Sequence, residues 1–170
     1  DREVDIALLY APPVDPQLFC HVETRQPLDV IVPPNHPLSD LNRPVTLHDL
    51  KGWPLALMDN PFGMRQMVNM VAHQERIHLE ARLHTNSVSV LKNFVRSGIG
   101  VTFMPELTVA DEIERGEIFT LPMQYPVMNG TRAQIVSLKG QELPVASITC
   151  IDHLHKGMRF FSADAPRLLQ

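Results

Sequence analysis

The chain has 170 residues, 44% of them hydrophobic and 20% charged, enough apolar material to give one domain or two small lobes a substantial core. Its 15 Lys and Arg stand against 19 Asp and Glu, a net charge of −4, and they are scattered, so the chain lacks the basic stripe that neutralises nucleic-acid phosphates. Apolar runs such as 4–9 and 28–33 are too short to cross a bilayer, no charged leader precedes an apolar run, and two cysteines in a chain of this size fit a reduced, cytoplasmic compartment.

Asp1-Arg2-Glu3 leads within a residue into a strand-like run, an abrupt start that suggests a piece of a longer protein. Short Val-, Ile- and Leu-rich runs then alternate with segments of helical period, the pattern of an α/β protein with largely buried sheets. Strands are predicted over 4–9, 18–23, 28–32, 55–58, 79–84, 99–103, 117–121 and 133–138. A helix over 64–74 places Met64, Met67, Val68 and Val71 on one stripe, and a second over 88–97 does so with Val88, Leu91, Phe94 and Val95; both stripes should face sheets. Ser87 is a natural N-cap and Gly98 a natural terminator for the second helix. Pro105 and Pro144 suit the first turns of two further helices, with Gly116 and Gly157 ending them. Residues 33–54 are dense in turn formers and read as a crossing between lobes.

The order of these pieces resembles the effector-binding domain of LysR-type transcriptional regulators. Val4-Asp5-Ile6-Ala7-Leu8, Leu28 to Pro33 with Asn35-His36-Pro37-Leu38, and Val45 to Leu50 carry it in the first part of the chain. Phe62-Gly63-Met64-Arg65, Thr85-Asn86-Ser87, Phe94 to Pro105 and Gly116-Glu117-Ile118 carry it further. Each piece is short, but the collinear set spans nearly the whole chain. The resemblance implies a two-lobed type 2 periplasmic-binding-protein fold with an effector in the inter-lobe cleft, a first lobe truncated at its N-terminus, and no catalytic activity or cofactor. It divides the chain into a partial first lobe with a crossing strand (1–33), a second lobe (34–130), and a return crossing with the C-terminal helix of the first lobe (131–170). It also implies partners: a small-molecule effector, promoter DNA only through a helix-turn-helix absent from this chain, and a homo-oligomer of the full-length protein, with the missing first helix of the lobe bearing on the dimer contact.

Three turns are candidate effector contacts, since in open α/β sheets ligands collect outside the carboxyl ends of strands. Asn86 and Ser87 open a helix after a strand, where free backbone N–H groups and the helix dipole attract an anion; plain capping by Ser87 uses the same geometry. In Asp59-Asn60-Pro61-Phe62-Gly63-Met64-Arg65, Gly63 allows close backbone approach and Arg65 could pair with an acidic effector, against the plainer reading of a solvated Arg65 and core-packed Phe62. Tyr10-Ala11-Pro12 follows the first strand and offers a ring and one hydroxyl; Met104-Pro105 follows another and could line an apolar wall, with core packing as the competing role for Met104.

Catalytic and metal readings find little. Cys20 and His21 would point to opposite faces of a strand, and His153 and His155 diverge on a helix. Asp111, Glu112 and Glu114 read as a solvated face, and neither a phosphate-cradling loop nor a nucleophile elbow occurs. The rival readings are a periplasmic solute-binding protein of the same fold, which would need an export signal, and an enzyme built on that fold, which would turn over its ligand.

Overall fold

The structure, a computed structural model, describes residues 4–59 and 63–158. In chain order its strands are β1 (Ile6–Tyr10), β2 (Leu18–Arg25), β3 (Asp29–Val32), β4 (Ala56–Met58), β5 (Leu83–Thr85), β6 (Thr102–Met104), β7 (Phe119–Leu121) and β8 (Arg132–Leu138). Its α-helices are α1 (Gly63–Gln74), α2 (Val88–Arg96), α3 (Ala110–Glu114), α4 (Pro126–Asn129) and α5 (Val145–Gly157). The chain divides into two units, one built from both ends (1–26 with 132–170) and one from the middle (27–131).

The middle unit holds the larger core. Its strand β3, buried at every position, pairs antiparallel with β6 on one side and β7 on the other. A four-residue run of Asp-Val-Ile-Val with no alternation is what a strand covered on both faces requires. Residues 27–32 therefore build the middle unit, and the Leu28 amide, donating to the Met128 carbonyl at 3.0 Å, ties them to its far end. Parallel strands β4 and β5 pair in register Ala56 with Leu83 through Met58 with Thr85. They join the first sheet through a parallel bridge between Leu55 and Val101.

Helix α1 buries Val68 and Val71 of its predicted stripe, together with Ala72, and α2 buries Leu91, Phe94 and Val95 of its own, while Met64, Met67 and Val88 are half-buried. Helix α2 packs on β4 and β5. It ends in a Schellman motif, with Gly98 (φ +68°) donating to the Val95 carbonyl at 2.8 Å and Ile99 to the Phe94 carbonyl at 3.2 Å. That turn consumes 98–100, so β6 begins at Thr102 and not at Ile99. The helix expected from Pro105 is divided: Pro105 precedes a 3-10 turn over Glu106–Val109, and only then does α3 form. Lys92 of α2 holds Glu112 of α3 at 3.0 Å.

The other unit is a three-stranded antiparallel sheet in the order β1-β8-β2 with α5 packed on it. Its apolar cluster is small: Ala133 and Ile135 fully buried, with Tyr10, Val22, Ile151, Leu154 and Met158 packed around them. No residue of α5 is fully buried.

Candidate functional site

Parallel pairing in the middle unit sends three strand ends to one edge. The Met58–Thr85 pair closes the β4–β5 ladder, and the Asp59 amide then donates to the Thr85 carbonyl at 3.0 Å. Strand β6 is drawn alongside β4 by three contacts: Ala56 N–H to the Val101 carbonyl at 3.0 Å, Val101 N–H to the Pro54 carbonyl at 2.9 Å, and the buried Thr102 hydroxyl to the Ala56 carbonyl at 2.8 Å. The carboxyl ends of β4, β5 and β6 therefore emerge together, and with them the turns holding Asp59, Gly63, Arg65, Asn86, Ser87, Met104 and Pro105. Asn60 and Phe62 lie outside the described residues.

Ser87 is the N-cap of α2. Its backbone is extended (φ −103°, ψ 116°), its Oγ accepts from the Val90 amide at 3.4 Å, and its own amide donates to Thr85 Oγ1 at 3.1 Å. One oxygen lone pair serves the cap; the hydroxyl proton is not used by it. Asn86, between them, is exposed. Thr85 thus orients the turn from beneath, a role that only the local pattern of Thr-x-Ser before a helix could signal.

Arg65, on the first turn of α1, is half-buried, with its Nη1 atom enclosed and without a partner among the described residues. Burial pushes the guanidinium below its ordinary range, and the negative charge of Asp59 acts the other way. The group nonetheless stays cationic. Beside it is a cavity of about 10 Å³, lined among others by Met58, Met64, Thr102 and Phe103. That volume holds about one water. An enclosed cation with an unused donor is costly unless an acceptor completes it.

Met104 and Pro105 reach the same edge but are buried, and Met104 is 0% exposed, packed with Ile31, Ala56, Met58 and Leu91. The side chain of Met104 is core, and in this structure it does not present an apolar wall to solvent. In the other unit, the Tyr10 ring packs on Ala133 and Ile135 and its hydroxyl donates to the Gln26 carbonyl at 2.9 Å. Ala11 follows with a left-handed backbone (φ 47°) and donates its amide to the Arg132 carbonyl at 2.8 Å, and Pro12 is half-buried. A non-glycine residue held at positive φ directly before a proline is strained by about 1 kcal/mol or more.

Among the described residues, no group of three His, Cys, Asp or Glu side chains is placed to hold a metal ion, and no helix is long and apolar enough to cross a membrane. Cys20 and Cys150 are both free and exposed.

Known proteins share this architecture. The transcriptional dual regulator GltC of Bacillus subtilis is 27% identical over 144 residues, which is 84% of this chain and 47% of that protein. The chain spans less than half the length of these curated relatives. Among solved structures, the regulatory domain of CcmR from Synechocystis PCC6803 in complex with 2-PG superposes with a TM-score of 0.73 at 23% identity, over 91% of this chain and 73% of that one. The effector-binding domain of QuiR in complex with shikimate does so with a TM-score of 0.68 at 19% identity, over 87% and 68%. These likenesses identify the type 2 periplasmic-binding-protein-like fold of LysR effector-binding domains. The LysR substrate binding domain family matches residues 1–159, and the chain belongs to that family.

Proposed function

We propose that this chain is the effector-sensing part of a bacterial, cytoplasmic LysR-type transcriptional regulator, and that it takes a small acidic molecule at the edge where β4, β5 and β6 end. The observation that carries the reading is the enclosed Nη1 of Arg65, without a partner among the described residues, at the same edge as the N-terminus of α2. A carboxylate or phosphate would complete the guanidinium and receive the helix dipole and the Ser87 hydroxyl proton. Tyr10, Ala11, Pro12, Asn60 and Phe62 are proposed as further effector contacts on the ground of the family likeness alone. Regulation would follow from differential affinity: an effector that favours one arrangement of the regulator shifts its population and so its action on promoter DNA, through parts of a longer, homo-oligomeric protein. Relatives that are transcriptional regulators support a sensing role over catalysis.

Calorimetric titration with shikimate, 2-PG and a panel of small carboxylates and phosphoesters tests this. Binding of an acidic member is expected, and Arg65→Ala should weaken it about tenfold or more, as loss of a charge-assisted contact worth roughly 1.5–3 kcal/mol requires. Unchanged affinity in Arg65→Ala would place the acid elsewhere.

A further inference from the structure

The segment after β3 contains a histidine that is only 7% exposed and performs a backbone task. His36 is the N-cap of the 3-10 turn Pro37–Leu41, with its Nδ1 accepting from the Leu38 amide at 3.3 Å. Its ring lies 4.4 Å, centroid to centroid, from Trp53, the single tryptophan of the chain. Because Nδ1 accepts, the neutral ring carries its proton on Nε2, which is enclosed and has no partner among the described residues. The turn in its grip sets Leu38, 5% exposed, into the core.

A second proton has only Nδ1 to occupy. There it removes the lone pair that receives Leu38 N–H, turns an acceptor into a donor aimed at a donor, and leaves a cation enclosed beside an indole. Protonated ring and closed cap are therefore mutually exclusive. We infer that His36 is a proton-operated latch: when it takes up a proton, its ring leaves Trp53, the cap at 36–38 opens, and the Pro37–Leu41 turn is released from the core. The indole face can attract an imidazolium but cannot return the acceptor that the cap loses, and Arg96 and Glu117, which line a pocket with Pro34, are paired with each other at 2.8 Å. The ionisable groups on the two packed segments, Asp40 on the turn and Lys51 beside Trp53, are both exposed, and burial alone, with no charged neighbour contributing, drives the imidazole below its ordinary range.

The sign follows from linkage. Closed His36 titrates below the open ring, so the opening constant of the cap rises about tenfold for each unit by which the pH falls between the two values. Trp53 fluorescence of the 170-residue chain, followed from about pH 8 to about pH 5, should change with a one-proton midpoint below about 6.5. The protection factor of the Leu38 amide, corrected for intrinsic exchange, should fall in the same range. In His36→Asn, where a side-chain oxygen keeps the cap without titrating, both signals should stay flat. A flat wild-type titration, or the same transition in His36→Asn, overturns the latch. If that variant does not fold, ring nitrogen shifts of the wild type decide: a neutral tautomer protonated on Nδ1 also overturns it.

Discussion

An added Cβ at Gly100 would lie 2.0 Å from the Pro54 carbonyl oxygen and 2.8 Å from the Phe94 ring. That carbonyl receives the Val101 amide, one of the bonds that hold β6 against β4, so the strand cannot step aside without losing its register. Gly100→Ala should therefore cost about 3 kcal/mol or more, at the upper end of overpacking effects. Gly98→Ala meets nothing within 4 Å and pays only for its left-handed backbone, about 1 kcal/mol. Denaturant midpoints of the two variants separate steric from torsional demand, and equal losses would refute the distinction. Asp49 shows the same economy in charge. Its carboxylate takes both guanidinium nitrogens of Arg43 at 2.8 Å and the Thr46 amide and hydroxyl at 2.8 and 2.7 Å. The Arg43 contacts, aided by Thr46 and opposed by burial, hold it well below the usual carboxylate range. A depressed carboxylate stabilises the fold above its unfolded value, near 3.9, and that stability is lost as pH falls below it. Asp49→Asn should flatten the acid limb of a stability profile; an unaltered limb would assign acid sensitivity to other groups.

Helix ends decide how far local sequence can be read. Helices α2 and α3 close on Gly98 and Gly116, both at φ +68°, and both are visible in the sequence as glycines that end a helix. Helix α1 closes the same way without one: Arg76, at φ 54°, donates to the His73 carbonyl at 3.1 Å while Ile77 donates to the Ala72 carbonyl at 2.8 Å. Arg76 is exposed. Replacing it with glycine should raise stability by about 0.5–1 kcal/mol, because the left-handed turn is kept and its steric cost removed. A lower melting temperature for Arg76→Gly would mean that the side chain matters more than the backbone. Period and punctuation located the eight strands of the described residues and the two long helices of the middle unit; the helices and β3, β4, β6 and β8 carry the buried apolar residues that make such a signal strong. They missed the 3-10 turn at Pro37–Leu41 and helix α4 at Pro126–Asn129, each shorter than the span over which a period can show. The strand expected over 79–84 shrinks to Leu83–Thr85, since pairing with β4 begins only at Leu83. For the candidate site, the cap at Ser87 was legible from residue type and position. The core packing of Met104 was legible as well, while the enclosure of Arg65 and the support from Thr102 depend on strands distant in sequence, and no local signal carries them.

At the scale of the whole chain, the two units are unequal. Of the fully buried apolar side chains among the described residues, only Ala133, Ile135 and Val136 belong to the unit built from the chain ends; the rest form the core of 27–131. Burial of apolar area is the main favourable term in folding, so the middle unit should be the more stable one. It is also continuous in sequence, whereas the other unit must bring together 1–26 and 132–170 across an intervening domain, a closure that costs chain entropy. Denaturation should accordingly run in two stages. Far-UV circular dichroism reports both units, while Trp53 lies in the middle unit alone. With rising urea, the dichroism should begin to fall while Trp53 fluorescence is still native, and a fragment of 27–131 should reproduce the second stage by itself. Coincident transitions by the two probes, together with an unfolded fragment, would show that the small sheet with α5 supplies stability that its sparse core does not reveal.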